Sequence, residues 1–193
     1  MRIAFLSDIH GNLPALQAVR DDMARRGVDQ VINGGDILSG PLWPRETADV
    51  LMALDWPTIA GNHERQLLAC ARRPGGASDR FAFEQTTPAQ RDWLASLPAE
   101  LHPWPGVAVC HGRPGDDLNY LLETVEPAGS RPATAAEVLQ CLDGLPGAAA
   151  PLLLCGHSHL PRLLQVDRTL CVNPGSVGLP AYDDDHIAFH VHQ

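Results

Sequence analysis

The chain has 193 residues, 45% of them hydrophobic and 19% charged. That balance excludes disorder and supplies ample core for one domain, taken as residues 1–193. A formal charge of -9 and a pI near 5.3 argue against a large nucleic-acid partner, which calls for a basic footprint. Five cysteines without a Cys-x-x-Cys pair read as reduced thiols of a cytoplasmic protein, and no apolar run reaches membrane-spanning length.

Arg2 to Leu6 reads as a short buried strand closing in Ser7-Asp8-Ile9-His10-Gly11-Asn12. Asp8 and His10 thus stand one residue apart just past a strand, although Asp8 alone could equally cap the next helix. In that helix Pro14 suits the first turn, and Leu13, Leu16, Val19 and Met23 share a face. Arg25 and Arg26 complement its C-terminal dipole, and Gly27 ends it. A second strand, Asp29 to Ile32, closes in Asn33-Gly34-Gly35-Asp36, where the glycines permit close backbone approach to Asp36. After a turn-rich stretch, Pro44 to Leu54 reads as a helix with Val50, Leu51 and Leu54 inward.

Pro57 to Ala60 is a third strand, followed by Gly61-Asn62-His63-Glu64 and a helix running to about Arg73. Asn62 carries a neutral carbonyl oxygen that can serve as a metal donor. Gly75 and Gly76 mark a loop. Thr87-Pro88-Ala89-Gln90 has the composition of a capped helix start, with Trp93, Leu94 and Leu97 buried beneath it. Val107 to Cys110 is a strand ending in His111-Gly112-Arg113-Pro114, and Thr134 opens a helix that ends near Gly144. Trp93 and Trp104 read as core anchors, and His102 as structural.

Pro151 to Cys155 is a further strand, running into Gly156-His157-Ser158-His159. Were the strand to continue, both imidazoles would point to one face, as ligands of a single ion; a turn would let two ions share them. Arg162–Val166 and Thr169–Val172 pair around Asp167-Arg168, and Asn173-Pro174-Gly175-Ser176 turns the chain. Ile187, Phe189 and Val191 alternate with His186, His190 and His192, a half-buried strand with imidazoles on its solvent face. Asp183-Asp184-Asp185 before it reads as a solvated turn.

Strand ends therefore supply Asp8, His10, Asp36, Asn62, His63, His111, His157 and His159. Carboxylate, imidazole and amide donors together suit Mn, Fe, Zn or Ni, and the lack of thiolates argues against a structural zinc site. Eight such groups exceed what one ion needs, and two ions sharing a carboxylate would use them economically.

The order Asp8-x-His10, Gly35-Asp36, Gly61-Asn62-His63-Glu64, His111 and Gly156-His157-x-His159 resembles that of the calcineurin-like metallophosphoesterases. Ser7 to Asn12 and Asn173 to Gly178 are most similar to the compact bacterial branch of phosphodiesterase-like proteins. The resemblance implies an α/β fold, a four-layer α-β-β-α sandwich with two mixed sheets and a dinuclear metal site at the strand C-terminal ends. It implies Asp8, His10 and His159 on one divalent ion, Asn62, His111 and His157 on the other, and Asp36 bridging. Mn is the favoured metal, with Fe, Zn, Ni or Mg as alternatives. It also implies hydrolysis of a small phosphodiester or phosphomonoester by in-line attack of a water held between the ions, with His63 as acid and Glu64 orienting or tuning it. Bound cations would reverse the acidic chain's local sign, so a small phosphorylated substrate is the expected partner; a homo-oligomer is left open.

Asn12, Arg113 and Arg45 are the substrate-binding candidates. Arg113 stands where the branch often has a small residue; its planar fork suits a phosphate and equally suits a surface salt bridge. Ile37-Leu38-Ser39-Gly40 replaces the Asp-Arg-Gly element of protein-phosphatase-like and dinucleoside-polyphosphate hydrolases, which places that reading second. A catalytically silent scaffold of the same fold would show eroded ligands, and every ligand position is filled.

Overall fold

In the computed structural model, which describes residues 1–127, 129–143 and 150–181, the chain opens with β1 (Ile3–Leu6) and α1 (Leu13–Arg26), then returns as β2 (Gln30–Asn33), parallel to β1. Asn12, not Asp8, caps α1, its Oδ1 accepting from the Ala15 N–H at 3.2 Å. Gly27 closes the helix in the left-handed region at φ 62°, which costs glycine little. Four helices follow: α2 (Pro44–Leu54), α3 (Asn62–Ala69), α4 (Ala77–Gln85) and α5 (Pro88–Ser96). The strand expected at residues 57–60 reduces to a single parallel bridge from Thr58 to Asn33, and α3 ends four residues before Arg73. The expected capping box on α5 is present, Thr87 and Gln90 satisfying each other's backbone N–H groups at 2.9 and 3.2 Å.

The second half contributes β3 (Val107–Val109), a hairpin of β4 (Glu123–Glu126) and β5 (Gly129–Pro132), α6 (Ala135–Leu142), β6 (Leu152–Leu154), β7 (Pro161–Val166) and β8 (Thr169–Pro174). The four-stranded sheet runs β3-β6-β8-β7, parallel except for β7, which forms the expected hairpin with β8.

Alternation along the strands sorts the core into three layers. Leu6 and Val31 face α1 to α5, packing with Leu16, Leu51, Leu67 and Leu94. Ala108, Leu153 and Cys171 face α6, meeting Val138 and Leu142. The residues between them in sequence, Phe5, Ile32, Val109, Leu154 and Val172, meet in the middle with Ile59 and Trp104, where the two sheets face each other. Helices, sheet, sheet, helix: this is the four-layer α/β sandwich. The sheet of β1 and β2 is wholly parallel among the described residues. The expected final strand at residues 187–191, with His186, His190 and His192, and the turn at 183–185 lie outside those residues, as does Gly144. Among the described residues no helix is long and apolar enough to cross a membrane.

Candidate metal centre

The loops after β1 and β2 continue the parallel ladder beyond the strands. Asp8 N–H donates to Gly35 O at 3.0 Å, His10 N–H to Asp36 O at 3.0 Å and Gly11 N–H to Ile37 O at 2.8 Å. From the other sheet, Gly156 N–H donates to His111 O at 2.7 Å, and Gly178 N–H reaches across to Asp8 O at 3.0 Å. Within this mesh Asp8, His10, Asp36, His157 and His159 all take left-handed φ angles between 50° and 68°. Non-glycine residues adopt that region only where their surroundings enforce it. Gly156-His157-Ser158-His159 is therefore a turn, and its two imidazoles diverge.

They diverge into different groups. Asp8, His10, Asp36 and His159 offer one ligand atom each within 4.8 Å of one another, and so do Asp36, His111 and His157. Asp36 belongs to both. His159 Nε2 stands 3.2 Å from Asp8 Oδ1, and His111 Nε2 stands 3.1 Å from Asp36 Oδ2. Neither approach is directed as a hydrogen bond: Asp8 Oδ1, His111 Nε2 and Asn62 Oδ1 are buried without a hydrogen-bond partner.

The outer face of each ring determines what its inner face offers. His10 Nδ1 donates to Ser39 O at 2.6 Å, His159 Nδ1 to Leu179 O at 2.5 Å and His111 Nδ1 to Gly34 O at 2.8 Å. His157 is reversed, its Nε2 donating to Leu118 O at 2.9 Å. A carbonyl oxygen can only accept, so in each neutral ring the inward nitrogen carries a lone pair. Two such lone pairs, on His10 Nε2 and His159 Nε2, face each other at 3.0 Å. That arrangement repels unless a proton or a cation lies between, and carbonyl-anchored imidazoles are the usual support of metal ligands. The residues present fit divalent metal ions.

Charge points the same way. Burial pushes the Asp8 and Asp36 carboxyls up, but neighbouring imidazoles outweigh it, His159 and His111 for Asp8, His111, His63 and His10 for Asp36; both lie below the usual carboxylate range. Burial lowers the His111 imidazole, and Asp36 and Asp8 override this to push it up to about 10. The site thus holds anionic carboxylates that demand positive charge.

His63 sits at the rim of this centre, 15% exposed. Its backbone N–H donates to Asp36 Oδ1 at 2.9 Å, and its ring lies edge-on to His10 with centroids 5.3 Å apart. Glu64 does not orient it, although its charge raises the imidazole as the tuning expectation had it. The Glu64 carboxylate is buried and accepts three backbone N–H groups, from Asp36, Ile37 and Gly61, each at 2.8 Å. It is a brace between the loop after β2 and the start of α3. The group on the His63 ring is Asp79 of α4, whose Oδ1 lies 2.7 Å from His63 Nδ1. Sequence reading overlooked Asp79 because α4 has no side-chain cap and no metal motif to draw the eye.

Asn12 also departs from expectation. Its Oδ1 caps α1 and its Nδ2 donates to Gly178 O at 3.0 Å, so the amide is spent on the fold. Arg45 is exposed on α2. Arg113 pairs with Asp116 at 3.1 Å and, with Arg65, Glu100, Asp117 and Leu118, lines a cavity of about 600 Å³ that adjoins His111.

The chain is 26% identical to an uncharacterized protein, MJ0912, of Methanocaldococcus jannaschii, over 92% of this chain and 76% of that one. A metallophosphoesterase structure from Sphaerobacter thermophilus is 27% identical, with a TM-score of 0.73 over 95% of this chain and 80% of its own. The hypothetical protein PH1004 of Pyrococcus horikoshii OT3 shares the fold at 20% identity, with a TM-score of 0.75 over 96% of this chain and 80% of its own. The model of the calcineurin-like phosphoesterase superfamily domain matches residues 1–192, and the chain belongs to that family.

Proposed function

We propose that the protein is a metal-dependent phosphoesterase acting on a small phosphodiester or phosphomonoester through two divalent ions. One observation supports this above the rest: two groups of inward lone pairs and carboxylates share Asp36 at the ends of both sheets. Asp8, His10 and His159 would hold one ion, and Asn62, His111 and His157 the other, with Asp36 common to both. Bound there, the ions would supply Lewis acidity toward phosphoryl oxygens and make water acidic enough to attack near neutral pH. Oxygen and imidazole donors favour manganese, with iron, zinc, nickel or magnesium as alternatives.

The chain's own residues account for the rest. Asp36 and Asp8 keep the centre anionic, and Glu64 holds Asp36 in place. Burial lowers the His63 imidazole, but its hydrogen bond to Asp79 and the Asp36, Asp79 and Glu64 charges override it and push it up to about 9. That direction favours the charged imidazole, the form needed to protonate a departing oxygen. The cavity beside His111, with Arg113 at its wall, offers room for part of a substrate. Five free thiols fit a reducing cytoplasm.

The test is reconstitution of metal-stripped protein with each metal, followed by a screen of phosphomonoesters, linear and cyclic phosphodiesters and dinucleotides. Turnover is expected with manganese. His63→Ala should retain metal yet lose about 10²–10⁴-fold in kcat on esters with poor leaving groups. No turnover above the His63→Ala control with any metal would sink the enzyme reading.

A further inference from the structure

Asp79 is 4% exposed and lies outside the group of residues that surround the metal centre. It occupies the first turn of α4, where the helix dipole favours a negative charge. Its partner belongs to another helix: His63 is the second residue of α3, and the 2.7 Å contact between Asp79 Oδ1 and His63 Nδ1 is the only hydrogen bond of that ring to any described residue. The His63 backbone is already fixed by Asp36 Oδ1, so rotation of the side chain is the freedom left to it. Asp79 removes that freedom.

We infer that Asp79 is the positioning residue of His63: it holds Nδ1 protonated and turns Nε2 toward the leaving group. This rests on the phosphoesterase reading above. As the attacking water's oxygen bonds to phosphorus and the bond to the leaving oxygen breaks, the electron pair stays on the departing oxygen, which takes the proton from Nε2. The ring becomes neutral with Nδ1–H still donated to Asp79, and the proton shed by the attacking water is returned to Nε2 through solvent. Asp79 keeps accepting from Nδ1–H throughout, as an orienting carboxylate does beside an imidazole.

The experiment compares wild type with Asp79→Ala, Asp79→Asn, His63→Ala and the His63→Ala/Asp79→Ala double variant, all loaded with manganese. Substrates are a p-nitrophenyl ester, which needs little acid help, and the matching phenyl ester, which needs more. Asp79→Ala should lower kcat on the phenyl ester about ten- to hundred-fold, with KM and metal content unchanged and little effect on the p-nitrophenyl ester. Asn can present its oxygen to Nδ1–H but carries no charge and can equally turn its NH2 there, so it should recover only part of the loss. In the His63→Ala background the Asp79→Ala change should cost nothing further.

A similar loss in that background, a loss that follows KM or metal content, or an unchanged phenyl-ester kcat would overturn the inference. Nitrogen-15 NMR of the wild-type ring gives a readout independent of any variant's folding: Nδ1 must carry a proton, and an unprotonated Nδ1 overturns it. Failure of the inference is distinct from failure of the reading beneath it. An inactive wild type condemns the phosphoesterase; an active one that is impaired by His63→Ala and indifferent to Asp79→Ala condemns only the role of Asp79.

Discussion

Five residues of the metal centre hold left-handed backbone, a conformation that costs about 1–3 kcal/mol apiece for side chains of this kind. Something has to enforce it, and at Asp36 that falls to Glu64. Its carboxylate gathers the N–H groups of Asp36, Ile37 and Gly61 in one buried place. Gly61 leaves the room required, because a Cβ there would run into Asp36 Oδ1 and stand 2.8 Å from the His111 ring. Charge-assisted bonds of this kind are worth more than neutral ones, and orphaned buried donors are penalised. Glu64→Ala should therefore lower unfolding free energy by at least about 3 kcal/mol in urea titration. Metal content should fall too, since Asp36 loses its anchor. A loss below about 1 kcal/mol, in the range of an ordinary surface change, would show that the loop after β2 holds itself.

At the scale of elements, the loop at residues 113–119 does for one ligand what Glu64 does for another. Asp116 accepts from the Leu118 N–H at 2.9 Å, the Asn119 N–H at 3.2 Å and the Arg113 guanidinium at 3.1 Å. Asp117 ties the loop to Arg65 of α3 through two bonds of 2.9 and 2.6 Å. This fixes the Leu118 carbonyl that receives His157 Nε2. Burial raises the Asp116 carboxyl, but its Asn119, Leu118 and Arg113 partners prevail and bring it from 3.8 down to about 2. A carboxyl whose folded pKa is depressed stabilises above its unfolded value and loses that contribution as pH falls through the folded one. The advantage of wild type over Asp116→Asn in thermal unfolding should be full at pH 5 and fade between about pH 4 and 2. A constant difference across that window would mean that Asp116 does not anchor the loop. Neither this loop nor the β4–β5 hairpin was legible in the sequence, and the reason is physical. Val125 is exposed and Glu123-Thr124-Val125-Glu126 has no apolar face to mark it as a strand. By contrast α1, α2 and α5 were read nearly to their ends, because proline, caps and terminal glycine act locally. Donor residues were legible as motifs at strand ends. Glu64 and Asp79 drew the wrong role or none, since their partners lie 28 and 16 residues away and only tertiary packing brings them together.

For the whole molecule, the two groups of donors are also a joint between sheets. Asp8, His10, Asp36 and Asn62 follow the β1–β2 side, whereas His111, His157 and His159 follow strands β3 and β6 of the other sheet. Each group draws from both: His159 joins the first sheet's trio, and Asp36 joins the second sheet's pair. Ions held there would clamp the sandwich across its central layer, and would relieve the buried orphan atoms of Asp8, His111 and Asn62. They would also neutralise two fully buried carboxylates in a chain of net charge -9. An ion that binds only the folded state adds about 2.7 kcal/mol at a free concentration of 100 times its Kd. For a domain of this length that corresponds to a rise of about 5–10 °C in Tm. Chelation should lower Tm by that much, and re-addition of manganese should restore it. His159→Ala should remove part of the increment by deleting the ligand that the second sheet gives to the first group, while leaving the chelated protein's Tm within a few degrees of wild type. Equal Tm values with and without metal, under conditions where bound metal is measured directly, would mean that the centre is rigid before any ion arrives. The two sheets would then be held by the apolar layer around Ile32, Ile59, Val109 and Leu154 and by the backbone bonds across the site.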